Sequence, residues 1–183
     1  MKLMIASDIH GDSACTKALL EHYRASGARR LILLGDILYH GPRNPLPAGY
    51  APKEVIALLS QPEVRDSLFC VRGNCDTEVD QMVLPFPILA DYAVIPVGHR
   101  LMYCTHGHHF NVNALPPMSK GDILLYGHTH VPLLDVTEDR VCLNPGSVSI
   151  PKEGSWHGYM TLEDGHFRWC DLEGKLHQEW RAN

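Results

Sequence analysis

The chain has 183 residues, a length that fits one domain of ordinary size. Its 45% hydrophobic and 20% charged residues are typical of a folded globular chain, so intrinsic disorder, collagen and a coiled coil are excluded. With 16 basic and 21 acidic residues the net charge is −5, which argues against a basic face for duplex nucleic acid. We therefore expect one domain over residues 1–183 and no duplex nucleic acid as a partner.

No apolar run approaches the ~18 residues of a membrane span, and the N-terminal residues lack the apolar core and cleavage site of a signal peptide. We expect a cytoplasmic protein without a membrane partner. The six cysteines contain no C-x-x-C pair, so six reduced thiols are expected. The sequence leaves a homo-oligomer open.

The first half of the chain alternates apolar runs with helical patterns, which predicts parallel strands connected by helices. Asp12 or Ser13 is the candidate N-cap of the first helix, Gly27 its stop signal, and Pro52 the start of the second helix. The predicted strands span residues 2–7, 30–34 and 67–72, and the predicted helices span about 12–26 and 52–60. Residues 41–52 are rich in proline and glycine and are expected to form a functional or contact loop.

The second half predicts mostly strands, beginning with a hairpin whose turn is Gly98-His99. These strands are expected at residues 92–97, 100–105, 122–126, 131–137, 140–143, 158–162, 166–171 and 175–180. Together with the early helices they predict a four-layer α/β/β/α sandwich of two mixed sheets flanked by helices. Trp156, Trp169 and Trp180 are expected to pack on a sheet, since no basic residues are interleaved with them for base stacking.

Polar side chains follow the ends of five predicted strands. They are Asp8, His10, Asp36, Asn74, His106, His108, His128 and His130. Ligands of open α/β sheets bind beyond the carboxyl ends of the strands, so these loops are expected to converge on one site. A single histidine or Gly-Asp pair is usually structural, but five such groups in succession indicate a metal site.

Asp8 with His10, and His128 with His130, are spaced i, i+2, which in extended backbone places both side chains on the same side. Carboxylate, amide and imidazole donors suit Mn, Fe, Zn, Co or Ni better than an all-oxygen Ca or Mg site. Two such ions a few ångströms apart would generate a hydroxide and bind a phosphoryl group.

The run D-x-H, G-D, G-N-C-D, T-H-G-H and G-H-x-H resembles the calcineurin-like metallophosphoesterases. With HGPRN at 40–44 and NPGSVSIPK at 144–152, residues 2 to about 152 are similar to the YfcE-type single-domain phosphodiesterases of that superfamily. The resemblance implies a dinuclear centre of two divalent ions, with Mn²⁺ favoured and Ni²⁺, Co²⁺, Fe²⁺ or Zn²⁺ as alternatives. It implies one ion on Asp8, His10 and His130, a second on Asn74, His106 and His128, and Asp36 bridging both.

The same resemblance implies hydrolysis of small or activated phosphodiesters by a metal-bridging hydroxide. On formal charges, two divalent ions, two carboxylates and a hydroxide leave one positive charge, which a diester monoanion neutralises and a monoester dianion exceeds. Arg43, Arg72 or Lys152 would reverse that preference. The alternatives are a phosphomonoesterase or nucleotidase using the same site, and a non-catalytic scaffold like the retromer relative of this fold.

Cys75 stands where many relatives of this kind carry a histidine that protonates the leaving group. A thiol with a reference pKa near ~8.5 is a poorer acid than an imidazolium, so good leaving groups are expected unless His108 or the substrate supplies the proton. A small apolar filler is the competing interpretation of Cys75. We therefore place Asn74, Cys75 and His108 as candidate catalytic residues, and Asp76 as either an orienting group or a helix cap.

Two further segments are candidates for phosphate binding. Tyr39, His40 and Arg43 follow Asp36 directly, although the prolines beside them also suit a rigid surface or dimer contact. Residues 144–147 form a turn whose amides would face an anion or simply join two strands.

Overall fold

The computed structural model describes residues 1–182 and contains two β-sheets and four helices in that part of the chain. The strands are β1 (Lys2–Ala6), β2 (Arg30–Leu33), β3 (Leu68–Cys70), β4 (Tyr92–Val97), β5 (Arg100–Thr105), β6 (Ile123–Leu125), β7 (Pro132–Val136), β8 (Val141–Pro145), β9 (Gly158–Glu163), β10 (His166–Asp171) and β11 (Leu176–Arg181). The helices are α1 (Ser13–Ser26), α2 (Pro52–Leu59), α3 (Pro62–Arg65) and α4 (Glu78–Val83). All the predicted strands and both predicted helices are present, and the short α3 and α4 are additional.

The first sheet has six strands in the order β11-β10-β9-β1-β2-β3. The half that ends at the edge strand β3 is parallel: Ile5 of β1 lies opposite Ile32 of β2, which in turn lies opposite Phe69 of β3. The remaining strands form an antiparallel meander that joins β1 through β9. The carboxyl ends of β1, β2 and β3 therefore point to the same edge of the sheet.

The second sheet has five strands in the order β4-β5-β6-β8-β7. The pairs β5·β6 and β6·β8 are parallel, and the outer pairs β4·β5 and β7·β8 are antiparallel. Both sheets are thus mixed, as the sequence predicts.

The main apolar core lies between the sheets and contains Ile5, Ile32 and Trp169 from the first sheet and Ile123 and Leu143 from the second. A second apolar cluster joins the outer face of the six-stranded sheet to α1, α2 and α3. The outer face of the five-stranded sheet carries a smaller cluster, where the irregular segment 106–121 contributes in place of a helix. The two-sheet α/β architecture is confirmed, and among the described residues its helices contribute to one outer layer.

The predicted end signals of the helices are present. The Oδ1 atom of Asp12 accepts the backbone N–H of Cys15 at 2.9 Å, and Gly27 ends α1 with a φ of 72°. Pro52 occupies the first turn of α2. Trp156 and Trp180 pack against the inter-sheet core, as predicted. No helix among the described residues has the length and apolarity required to cross a membrane.

The loops after β1 and β6, one from each sheet, are in close contact. A Cβ atom built on Gly127 would collide with the buried Oγ of Ser7 and lie 2.8 Å from an oxygen of Asp8. Both side chains are fully buried at the end of β1, so they cannot move aside without disturbing the strand end. Only glycine fits at this contact.

We expect Gly127→Ala to lower the free energy of unfolding by about 2–3 kcal/mol, the cost of overpacking a closely packed interior. Urea denaturation measures this. Gly98→Ala is the matched control, because a Cβ there meets nothing within 4 Å and only its φ of 61° opposes the change. That control should cost about 1 kcal/mol, and equal losses in the two variants would contradict the steric argument.

Candidate metal centre and active site

The loops after the parallel strands of both sheets are hydrogen-bonded to one another. The backbone N–H of Asp8 donates to Gly35 O at 3.1 Å, and that of His10 donates to Asp36 O at 2.9 Å. Within the second sheet, the N–H of Gly127 donates to His106 O at 2.8 Å. Between the two sheets, the N–H of His128 donates to an Asp8 carboxylate oxygen at 3.0 Å. The predicted convergence of the strand ends is therefore present.

Asp8, His10 and His130 form the first group of potential metal ligands. One ligand atom from each lies within 4.8 Å of the others, and all three side chains are buried. The two Nε2 atoms of His10 and His130 are 3.3 Å apart, and His130 Nε2 is 3.2 Å from Asp8 Oδ1. That oxygen has no hydrogen-bond partner within the described part of the chain. Converging lone pairs of this kind favour a cation between them.

Asp36, Asn74, His106 and His128 form the second group, centred on the imidazole of His106. Its Nε2 atom is 3.0 Å from Asn74 Oδ1, 3.2 Å from His128 Nδ1 and 3.4 Å from Asp36 Oδ2. Asp36 Oδ2 is also 3.6 Å from His10 Nε2, which belongs to the first group. Asp36 therefore lies between the two groups, in the position that a bridging carboxylate requires.

Backbone carbonyls fix the orientation of three of these imidazoles. His10 Nδ1 donates to Tyr39 O at 2.8 Å, His106 Nδ1 to Leu34 O at 2.7 Å and His130 Nδ1 to Ile150 O at 2.7 Å. A carbonyl accepts only, so each Nδ1 carries a proton, and in the neutral imidazole each Nε2 presents its lone pair to the centre. Histidine ligands of metals are characteristically held in this way. The donor set and its orientation therefore fit divalent metal ions.

Five of the seven predicted ligands have left-handed backbone conformations. The φ angles are 58° at Asp8, 48° at His10, 55° at Asp36, 66° at His128 and 62° at His130. The spacing argument assumed extended backbone at the i, i+2 pairs, and that premise is wrong. The side chains come together because each strand turns sharply at its end. Such conformations in non-glycine residues are strained and concentrate at functional sites.

The acidic and basic groups of the centre shift one another's pKa. Burial opposes ionisation of Asp8, but hydrogen bonds with His10 and His130 outweigh it and hold the pKa of Asp8 well below its usual range. Burial likewise opposes the charge on His106, yet the hydrogen bond with Asp36 and the charges of both aspartates raise the pKa of His106 to about 9. The two carboxylates therefore stay ionised and require positive charge beside them.

The two candidates for proton donation, Cys75 and His108, have pKa values that disfavour this role in the metal-free site. Burial, followed by the charge of Asp36, raises the pKa of the Cys75 thiol to about 12. Burial, followed by repulsion from neighbouring histidines, lowers the pKa of His108 to about 4. The His108 ring centroid is 5.4 Å from that of His106, and its Nδ1 has no hydrogen-bond partner among the described residues. At neutral pH the thiol is protonated and His108 is neutral.

Asp76 fills a role that the sequence interpretation did not identify. Its carboxylate is buried and accepts three backbone N–H groups, from Asp36 at 2.8 Å, Ile37 at 2.9 Å and Gly73 at 2.7 Å. It neither orients a histidine nor caps α4, whose N-cap is Thr77. Asp76 therefore joins the loop that carries Asp36 to the loop that carries Asn74. Two of its three partners lie 39 and 40 residues away, so no local sequence signal could have identified this role.

The 144–147 turn supports the centre from the other side. The hydroxyls of Ser147 and Ser149 donate to Asp8 O at 2.8 and 3.0 Å, and the side-chain amide of Asn144 donates to Gly127 O at 2.8 Å. The Gly146 amide donates to Asn144 Oδ1 at 2.8 Å. Because the groups are used internally, this turn has a structural role rather than that of an anion-binding turn.

A cavity of about 760 Å³ opens beside the candidate ligands. Its lining residues are Asp36, Tyr39, Gly41, Pro42, Arg43, Asn44, Pro45, Asn74, Cys75, Thr77, His128, Thr129, His130 and Lys152. Its volume is typical of a site for a small organic molecule. The proline-rich loop predicted to be functional supplies much of one wall.

The three predicted substrate residues in that loop have different positions. Tyr39 and Arg43 line the cavity, and the Tyr39 side chain is 42% exposed. The ring of His40 lies 4.8 Å from Tyr39 and 5.3 Å from Tyr50 and does not line the cavity. Tyr39 and Arg43 therefore remain candidates for substrate contact, whereas His40 packs within the loop.

We expect Asp76→Asn to lower the free energy of unfolding by about 2 kcal/mol, because an amide cannot accept all three N–H groups and leaves a buried donor unpaired. It should also weaken Mn²⁺ binding, since the Asp36 and Asn74 loops lose their connection. Urea denaturation and isothermal titration calorimetry measure the two effects. The exposed Asp91→Asn control should change neither, and full metal affinity in Asp76→Asn would contradict the positioning role.

Comparison with known proteins agrees with this geometry. The family model described as the calcineurin-like phosphoesterase superfamily domain matches residues 1–164. The chain is 48% identical over 164 residues to the protein named phosphodiesterase YfcE of Escherichia coli, covering 90% of this chain and 88% of the relative. It is 26% identical over 173 residues to the probable metallophosphoesterase YsnB of Bacillus subtilis, covering 90% and 86%.

The solved structure of the YfcE phosphoesterase from E. coli superimposes with a TM-score of 0.95 at 44% identity, over 100% of both chains. Vps29 from Entamoeba histolytica has a TM-score of 0.63 at 19% identity, over 100% of both chains, which shows a shared fold only. With a family model that covers most of its length and a relative of 48% identity, this chain is a member of the calcineurin-like phosphoesterase superfamily.

Proposed function

We propose that this protein is a metal-dependent phosphodiesterase that hydrolyses small or activated phosphodiesters. The observation that carries the proposal is the convergence of two carboxylates and four imidazoles, three of them oriented by backbone carbonyls, at the side of a cavity of about 760 Å³. The relative with 48% identity is named a phosphodiesterase, which supports the same activity here.

Two divalent ions fit the two groups of side chains. Asp8, His10 and His130 would hold one ion, Asn74, His106 and His128 would hold the other, and Asp36 would bridge them. The donors are oxygen and nitrogen, so Mn²⁺ is the first ion to test, followed by Ni²⁺, Co²⁺, Fe²⁺ and Zn²⁺. When bound, such a pair lowers the pKa of coordinated water and stabilises charge on the phosphoryl oxygens.

The residues of the chain have three tasks in this reaction. Asp36 and Asp8 remain ionised and hold the positive charge in place, while the carbonyl-bound histidines keep the ligand geometry fixed before substrate arrives. The exposed Asn74 lies at the boundary between the ligands and the cavity and is placed to contact the phosphoryl group.

A phosphomonoesterase using the same site is the second candidate, and one observation favours it. Arg43 and Lys152 line the cavity, and added positive charge at the scissile phosphate would balance a dianion. We favour the diester because the carboxylates leave the centre with little excess charge and the named relative is a phosphodiesterase.

We place the protein in the cytoplasm, consistent with a chain in which the described helices do not span a membrane.

The proposal is tested with chelator-treated protein reloaded with Mn²⁺. We expect two ions per chain by elemental analysis and a higher kcat/KM for bis(p-nitrophenyl) phosphate than for p-nitrophenyl phosphate. Asp36→Asn should lower both metal content and activity, the latter by at least about 100-fold, since it removes a direct ligand. Asp91→Asn is again the matched control. An absence of turnover with Mn²⁺, Co²⁺, Ni²⁺ and Zn²⁺ would contradict the proposal.

The thiol of Cys75 makes the choice of leaving group a second test. We expect Cys75→His to reduce the dependence of kcat/KM on leaving-group pKa across a series of aryl phosphodiesters, because an imidazolium protonates a poor leaving group better than a thiol whose pKa is about 12. Cys75→Ser is the size-matched control and should retain the steep dependence. An equal dependence of kcat/KM on leaving-group pKa in Cys75→His and in the parent protein would show that residue 75 does not act as a general acid.

A further inference from the structure

Positive charge without a partner lines the proposed substrate cavity. Among the described residues that form its wall, the permanently charged side chains are Asp36, Arg43 and Lys152. Asp36 belongs to the candidate metal centre, so the remaining wall contributes two cations and no anion. The chain as a whole is acidic, with a net charge of −5, and the cavity is therefore a local exception.

Neither cation is neutralised within residues 1–182. Neither the guanidinium of Arg43 nor the ammonium of Lys152 has a carboxylate within 4.0 Å or a hydrogen-bond acceptor in that part of the chain. Several other cations of the chain are paired, for example Arg72 with Glu78 at 3.7 Å and Lys120 with Asp139 at 3.0 Å. The two cavity cations are thus available to an anion from solution.

The backbones that carry these cations are held in place. Pro42 and Pro45 restrict the loop on either side of Arg43, and the amide of Asn44 donates to His40 O at 2.9 Å to close its turn. On the other side, the N–H of Lys152 donates to His130 O at 3.1 Å. The Cα positions that carry both cations are therefore fixed beside the candidate metal ligands, and only the side chains have to order when an anion binds.

The volume and charge of the cavity indicate what occupies it. A single phosphate group fills only a small part of about 760 Å³, so the cavity also holds an organic arm of the substrate. The scissile diester carries one negative charge, which the metal centre already balances under the proposed function. The positive charges of Arg43 and Lys152 remain, and a second phosphate group would balance them with charge-assisted hydrogen bonds.

Building on the proposed function, we infer that the substrate is a small phosphodiester that carries a second phosphate group on its organic arm, and that Arg43 and Lys152 bind that group. Arg43 provides a planar fork for two phosphate oxygens, and Lys152 provides a mobile point charge. The pair selects for a charged arm and leaves the chemistry at the scissile phosphate to the metal centre.

Two chromogenic esters test the inference, the p-nitrophenyl ester of thymidine 5′-phosphate with and without a 3′-phosphate. They share a leaving group and a scissile bond. We expect the 3′-phosphate to raise kcat/KM by about tenfold, mainly through KM, as one charge-assisted contact would. The double variant Arg43→Gln/Lys152→Gln should bring that ratio close to one. Lys17→Gln/Arg29→Gln, which removes the same charge from the exposed surface, should preserve the ratio.

A ratio near one in the parent protein, or an unchanged ratio in the double variant, would overturn the inference. So would a selective loss of p-nitrophenyl phosphate hydrolysis in the double variant, because the cations would then serve the scissile phosphate. Calorimetric binding of thymidine 3′,5′-bisphosphate and thymidine 5′-phosphate to Mn²⁺-loaded protein separates the two proposals. Tighter bisphosphate binding that depends on Arg43 and Lys152, without turnover of either ester, would support the subsite and contradict the phosphodiesterase function.

Discussion

The structure depends on keeping two ionised carboxylates close together inside the protein. Oxygens of Asp8 and Asp36 lie with a nitrogen of His106 in one group whose atoms are all within 4.8 Å of one another. Burial and mutual repulsion oppose both negative charges, and only neighbouring positive charge makes the arrangement tolerable. Imidazoles provide part of that charge in the metal-free protein, and the same arrangement gives a divalent ion a large electrostatic advantage. Metal affinity and folding are thus linked through one set of side chains.

The backbone that carries these groups is strained, and hydrogen bonds in the surrounding loops offset the free-energy cost of that strain. The left-handed residues Asp8 and Asp36 are linked to each other's loops through main-chain bonds, and Asp76, Ser147 and Ser149 satisfy further groups around them. Most of these supports are buried polar side chains, which stabilise only when fully paired. The site is consequently rigid before any ligand binds, which agrees with a role in which preorganised charges stabilise a transition state.

The sequence was sufficient to predict the strands, the two longer helices and the family, because each depends on local patterns such as apolar runs, caps and short motifs. It also identified side chains that the fold brings together at the strand ends, since parallel strands share one edge. The left-handed conformations of His10 and His130 were not predicted, because spacing gives no information on φ. The three-way bond of Asp76 was missed because its partners lie up to 40 residues away in the chain. The irregular outer layer of the second sheet was also not predicted, because the hydrophobic pattern of that segment does not distinguish coil from helix.

The C-terminal end of the proline-rich loop is attached to the start of α1. The N–H of Gly49 donates to Asp12 Oδ2 at 3.2 Å, the N–H of Ser13 donates to Gly49 O at 2.9 Å, and the N–H of Ala51 donates to Gly11 O at 2.8 Å. Asp12 also caps that helix through its other carboxylate oxygen, so swinging this end of the loop outward would leave the N–H of Ser13, in the first turn of α1, without its partner. This end of the loop is therefore held in place, and a ligand must fit the cavity in the shape that it already has.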